Sequence, residues 1–235
     1  MALRLQIRNS NIEIRNKFEI QVTPLMKRIF DFFMAAAGLI VLSPLFLLVA
    51  ILIKLDSEGP ILFKQKRIGR NFRPFLIYKF RTMHAGAHMT SPLTIGADPR
   101  ITRTGKYLRA SKIDELPQLI NVLKGEMSLV GPRPELPRYV ELFRPDYEKI
   151  LTVRPGLTDL ASLKYSDEAS ILGQSANPER EYVSQLLPDK IRLAKEYIEH
   201  SSFLFDTKLI FETIVKILGN HQIRSTKSEA RNNVQ

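Results

Sequence analysis

The chain has 235 residues, 44% of them hydrophobic, and a formal net charge of +11. That length carries one substantial domain with appendages, and that apolar content excludes a chain disordered throughout. The absence of cysteine excludes a disulfide framework and a thiolate metal site, while the positive balance favours anionic partners: nucleic acid, anionic lipid or phosphorylated substrates.

Residues 1–23 alternate apolar and polar in places and read as a variable lead, with no cleavage-site pattern behind an early apolar run. Pro24 opens a different segment, 24–55. After Lys27, Arg28 and Asp31, the run Phe32 to Ile53 carries no charge. As a straight helix it would extend roughly 33 Å, enough for a bilayer core. Ser43 and Pro44 sit at its midpoint. Proline removes a helix hydrogen bond and crowds a carbonyl, so the helix kinks or breaks there, and Ser43 can replace the lost bond. One form is a kinked span; the other is a re-entrant pair of half-helices that enter and leave by one face. Lys27 and Arg28 before the run, and Lys54, Lys64, Lys66, Arg67 and Arg70 after it, mark both flanks as cytoplasmic and favour the re-entrant form.

A body spanning 56–218 follows. ILFKQKRIG and PFLIYKFRTM read as short strands bounded by Gly or Pro. Lys79 and Arg81 lie among the aromatics of the second, so they stem from a packed element, which suits phosphate recognition. His84 and His88 have the spacing of a helical metal pair, but Gly86 and the following TSP indicate a loop. In SKIDELPQLINVLKGEMSLVGPRP, Asp114 and Glu115 precede an apolar run of helical spacing. Pro117 is tolerated only in a first turn, so Asp114 falls at the helix start, where unpaired N–H groups and the helix dipole favour its ionised form. Ser111 with Asp114 also fits a capping box, so capping and catalysis both stand as readings.

Gly125 is a natural helix stop, and Pro132 and Pro134 stiffen the backbone around Arg133. A second such unit sets Arg154 beside Pro155 and Gly156. Arg133 and Arg154 therefore join Lys79, Arg81 and Arg109 as candidates for binding phosphate. Ser201 to Leu218 reads as a helix with a Ser N-cap, more apolar around its circumference than a soluble helix needs, which fits the membrane interface. Residues 219–235 read as a disordered basic tail.

These segments, in order, resemble the bacterial sugar transferase family of monotopic phosphoglycosyl transferases. The resemblance implies an α+β, mainly helical fold with a small sheet, interfacial helices and a re-entrant segment built on Lys27, Arg28, Asp31 and Ser43–Pro44. It implies transfer of a sugar-1-phosphate from a UDP-sugar to undecaprenyl phosphate, with UMP released, at the cytoplasmic face of the bacterial inner membrane. Asp114 matches the family's nucleophile, which forms a covalent phosphosugar intermediate in a ping-pong reaction. Glu115 matches its partner at a Mg²⁺ site, and Lys79, Arg109 and Arg133 match cationic positions around the phosphates. PGLTDLASLKYSDEASIL departs from the family's Gly, Gln and Asn-Gly-Arg pattern, so donor contacts do not carry over there and the sugar stays open. No nucleic-acid module is present. A non-enzymatic basic membrane-binding protein is the competing reading, and the oligomeric state is open, a homodimer included.

Overall fold

The computed structural model describes residues 25–86 and 93–232, with side chains to residue 217 and at 219. The lead 1–23 and His88, and with it the His84–His88 pairing, lie outside the described residues. Helix α1 (Leu25–Val41) and helix α2 (Ser43–Asp56) meet at a 59° bend. Its cause is local. Pro44 has no N–H to donate to the carbonyl of Ile40, and the Ser43 hydroxyl donates to that oxygen instead, at 2.7 Å. No single described helix is long and apolar enough to cross a membrane, whereas the bent pair together has the length and composition.

One side of this pair is packed and the other is bare. Ala35, Val49 and Ile53 are buried against the body, while Phe33, Ile40, Val41, Leu47 and Leu48 are exposed. Polar groups at the start of α1 fix the pair to the body. Lys27 donates to the carbonyl of Val130 (2.9 Å) and pairs with Asp206. Asp31 is buried and accepts from Ser128 Oγ (2.8 Å) and the Leu129 amide (3.1 Å). Arg28 donates to the carbonyls of Val122 and Leu123.

The two expected short strands, β1 (Leu62–Ile68) and β2 (Pro74–Phe80), pair as an antiparallel hairpin, with Phe63 opposite Lys79 and Lys64 opposite Tyr78. Alternation sends Phe75 and Ile77 into a core with Leu119, Val122 and Met127, with Ala35 of α1 against it. Helix α3 (Arg103–Ala110) then leads through a 3₁₀ turn (Ile113–Gln118) into α4 (Leu119–Lys124). Strand β3 (Ser128–Val130) pairs in parallel with β4 (Gly156–Thr158), across α5 (Pro137–Leu142) and α6 (Arg144–Ile150). Helices α7 (Leu160–Lys164), α8 (Glu168–Gly173), α9 (Pro178–Glu181) and α10 (Leu187–His200) complete the largest core with Tyr139, Tyr147, Leu172 and Leu187. The result is mainly helical with two small sheets.

Helix α11 runs from Phe203 to Asn232. The Ser202 hydroxyl accepts from the Phe205 amide at 3.2 Å, one residue later than the expected Ser201 cap. The helix continues past 219, where a disordered tail was expected. One glycine in a helix costs only about 1 kcal/mol, and QIRSTKSEAR beyond it contains no proline to stop the helix. Leu209 is buried, while Phe203, Leu204, Phe211, Ile214 and Val215 stay exposed. The helix thus has apolar residues on both its packed and its bare side.

Candidate active site

The backbone around Asp114 is shaped by three neighbouring residues. Ser111 closes α3, its hydroxyl donating to the carbonyl of Tyr107 at 2.8 Å, so it does not cap the next helix. Lys112 takes a left-handed conformation (φ 57°) that turns the chain sharply. Pro117 cannot donate to the carbonyl of Ile113, and the segment winds as 3₁₀, with Asp114 and Glu115 in its first turn, before α4 begins at Leu119. Gly125 ends α4 at φ 79°, as expected.

Asn121, which the sequence reading missed, fixes this turn to the hairpin. Its side chain is fully buried. Oδ1 accepts from the Tyr78 amide (3.1 Å), and Nδ2 donates to the carbonyl of Leu76 (2.7 Å) and to Glu126 (2.8 Å). The amide thereby stands in for a missing strand on the free edge of β2, one residue from Lys79. Asn121→Ala leaves the Tyr78 N–H and the Leu76 carbonyl unpaired. An expected loss of about 2–4 kcal/mol follows, checked by denaturant unfolding.

The charged groups gather around Asp114 and Glu115. Glu115 accepts from Lys79 Nζ at 2.9 Å and from both terminal nitrogens of Arg133, Nη1 at 3.1 Å and Nη2 closer. Burial pushes the Glu115 carboxyl upward, but Arg133 and Lys79 outweigh it and hold the group well below the usual range. Glu115 in turn raises Arg133, which stays cationic, while burial lowers Lys79.

Asp114 behaves differently. It is only 7% exposed, and its Oδ1 is buried without a hydrogen-bond partner among the described residues. Burial, then the neighbouring Glu115 charge, push its carboxyl up to about 6, against the pull of Lys79, Arg109 and Lys112. The helix start does not depress it, as the sequence reading expected; removal from water is the larger effect. At pH 7 it is still about ten to one ionised. Arg109 donates Nη2 to Thr94 Oγ1 at 2.8 Å, and its Nη1 is buried with no hydrogen-bond partner among the described residues. A free carboxylate oxygen and a free guanidinium nitrogen thus occupy one site.

Two candidate cations do not join this cluster. Arg81 is buried and donates to the carbonyls of Glu58 and Ser57 (2.7 Å to the latter), closing the end of α2. Arg154 donates Nε to the carbonyl of Gly125 at 2.8 Å, and with Arg28 it satisfies the end of α4. Both sit where orphan helix carbonyls attract cations. Arg133 is instead held toward Glu115 by its backbone. Its amide donates to Asp159 Oδ2 (3.1 Å), and the Gly131 and Gly156 amides donate to Thr158 and Pro132. A Cβ on Gly156 would stand 2.1 Å from the Gly131 nitrogen, so the two Gly-Pro units can approach this closely only as glycines.

Besides Asn121, the sequence reading missed Lys112, whose charge reaches Asp114, and the anchoring role of Asp159. The only sequence signal for Lys112 was its place two residues before the carboxylate.

The chain is similar to known proteins over most of its length. The family description "Bacterial sugar transferase" matches residues 22–220. The exopolysaccharide production protein PSS of Rhizobium leguminosarum bv. phaseoli is 40% identical over 82% of this chain and 95% of its own length. The UDP-glucose:undecaprenyl-phosphate glucose-1-phosphate transferase of Caulobacter vibrioides is 40% identical over 83% of this chain and 70% of its own. The UDP-N-acetylgalactosamine-undecaprenyl-phosphate N-acetylgalactosaminephosphotransferase of Aeromonas hydrophila is 39% identical over 82% of this chain but only 44% of its own. The match encloses the bent helix pair, the hairpin and the whole charged cluster, and the chain is a transferase belonging to the bacterial sugar transferase family.

Proposed function

We propose that the protein transfers a sugar-1-phosphate from a UDP-sugar to undecaprenyl phosphate, with Asp114 as a covalent nucleophile, and so begins assembly of a surface polysaccharide. The observation that carries this reading is the buried, unpartnered Oδ1 of Asp114 inside a set of cations. A carboxylate is a poor nucleophile toward an anionic diphosphate unless fixed positive charge neutralises the electrophile. Lys79, Arg109, Lys112 and the Glu115-bound Arg133 supply that charge, already oriented.

In the first step Asp114 Oδ1 forms a bond to the sugar-bearing phosphorus. The bond from that phosphorus to the bridging oxygen breaks, and UMP departs with the oxygen. In the second step an oxygen of the acceptor phosphate attacks the same phosphorus and returns Asp114 as a free carboxylate. The free Nη1 of Arg109 suits a phosphate oxygen of either substrate. The same site thus serves a water-soluble donor and a lipid acceptor in turn. The bare apolar sides of α1, α2 and α11 support placement at the cytoplasmic membrane surface, with the bend at Ser43–Pro44 as the turn of a re-entrant segment.

The donor set also fits Mg²⁺. Glu115 Oε2 receives a single hydrogen bond among the described residues, leaving a lone pair. One carboxylate, with water and diphosphate oxygens, is a ligand set this ion accepts, and it leaves Asp114 Oδ1 free for attack. When bound it would neutralise charge on the diphosphate. Chelation by EDTA is expected to lower turnover at least about a hundredfold, with recovery on adding Mg²⁺. The reaction class is tested by offering a panel of UDP-sugars with undecaprenyl phosphate and identifying the nucleotide released. UMP is expected; UDP would indicate sugar transfer without phosphate and overturn the proposal.

A further inference from the structure

Where the acceptor's hydrocarbon lies is a question separate from the chemistry at Asp114. An open groove of about 480 Å³ touches α2 at Phe46, with walls from Pro60 and Ile61 ahead of the hairpin, Leu62 and Phe80 within it, and Pro117 and Ile120 beyond the nucleophile. Its lining is apolar except for Lys64, and no acidic side chain faces it.

The hairpin separates apolar from ionic surroundings. Lys79 pairs with Glu115, while its neighbour Phe80, pointing the other way, stacks edge-on with Phe46 at 5.3 Å. The turn 113–118 runs past the β2 edge held by Asn121 and meets both environments. Ile113, directly before Asp114, packs against the same buried cluster around Phe80 as Phe46, Ile61 and Leu62 do, and Pro117, three residues after Asp114, lines the groove. Asp114 is therefore bracketed by two residues on the groove side while its own surroundings are charged.

On α2, which supplies Phe46 to the groove, Leu47, Leu48, Ile51 and Leu52 are all exposed. Lys64, which lines the groove, and Lys124 both lie over the Tyr78 ring, at 5.7 and 4.7 Å. An apolar groove with one lysine in its lining, walled in part by the turn that carries the nucleophile, matches a ligand with a hydrocarbon tail and an anionic head. We propose that this groove binds the first isoprene units of the polyisoprenyl phosphate acceptor, admitting the tail along α2 and bringing the phosphate to Asp114. The assignment rests on the transferase reading for the identity of the lipid.

The two half-reactions allow the groove to be tested apart from that reading. Leu62→Trp and Ile120→Trp would fill the groove from opposite walls. In membrane-reconstituted full-length protein, each is expected to lower the rate of the undecaprenyl-phosphate step relative to the UMP-releasing step at least about tenfold. An unchanged ratio in both variants overturns the proposal. A second measurement does not depend on how the variants fold. A polyprenyl phosphate carrying a diazirine on its first isoprene is expected to label wild-type peptides containing Ile61–Leu62 and Pro117–Ile120. Unlabelled undecaprenyl phosphate should compete and phosphatidylglycerol should not. Labelling confined to other surfaces, or equal competition by phosphatidylglycerol, overturns the proposal by showing a general lipid face. If the wild type released no UMP from any UDP-sugar, the transferase reading would fall while groove labelling could still succeed.

Discussion

Asp114→Asn is expected to abolish UMP release from the UDP-sugar, by at least about a thousandfold, and at the same time to stabilise the fold. The two effects have one origin. Folding carries the Asp114 carboxyl from its ordinary value near 3.8 up to about 6, so the folded state holds the proton more tightly than the unfolded state. Stability contributed by this group is present below pH 3.8, declines as pH rises from there to about 6, and is fully lost above that. A neutral amide removes this penalty, and an expected gain of about 1–3 kcal/mol at pH 7 follows. Denaturant unfolding of both proteins at pH 4 and pH 7 checks it: the gain should be present at pH 7 and small at pH 4. Asp114→Glu should not restore activity, because one added methylene displaces the oxygen in a site that packing holds tightly. A residue that merely capped a helix would behave in the opposite way, since losing a cap destabilises.

Glu115→Gln is expected to damage both stability and catalysis, by a different route. Among the described residues, Glu115 is the only anion paired with Lys79 and Arg133. Removing its charge leaves two cations facing each other in a site where the three side chains are 14–32% exposed. Fully buried pairs lose about 3–5 kcal/mol when broken, and partial exposure reduces the expectation here to about 2–3 kcal/mol. The pH profile gives a sharper test. Glu115 is one of the two causes that raise Asp114, so its neutralisation lowers the Asp114 pKa. The acidic limb of the UMP-releasing step, expected near pH 6 in the wild type, should move to lower pH in the variant even as the rate falls. A limb that stays in place would show that it belongs to another group.

The parts of this account that were legible in the sequence are those fixed by a residue's near neighbours in the chain. Pro44 leaves the Ile40 carbonyl orphaned and Ser43 lies within reach of it, so the bend and its repair could both be read. Short runs bounded by Gly or Pro gave the two strands, and Gly125 gave the end of α4. The fate of each cation was not legible in this way. Lys79 and Arg81 lie two residues apart, yet one meets a carboxylate and the other the carbonyls at the end of α2. Arg133 and Arg154 each stand beside a proline, yet Arg154 is drawn to the Gly125 carbonyl. Which unpaired oxygen arrives next to a long cationic side chain is decided by tertiary packing.

The ionisation of Asp114 shows the same limit. Reasoning from the helix start gave a depressed carboxyl, because the dipole and free amides are local and visible. Desolvation depends on what closes over the residue, and here it exceeds the local effect. Asn121 was overlooked for a related reason. In the sequence it is a polar residue within an apolar helix pattern, and only the exposed edge of β2 explains its burial.

The central claim is that the sugar phosphate passes through Asp114. The most direct measurement is the intact mass of the protein after incubation with its UDP-sugar and Mg²⁺ in the absence of any lipid acceptor. The account predicts an increase equal to one sugar-phosphate group, carried by the peptide containing Asp114, with one equivalent of UMP released and the adduct discharged on adding undecaprenyl phosphate. An unmodified protein that releases UMP only when donor and acceptor are present together would contradict it.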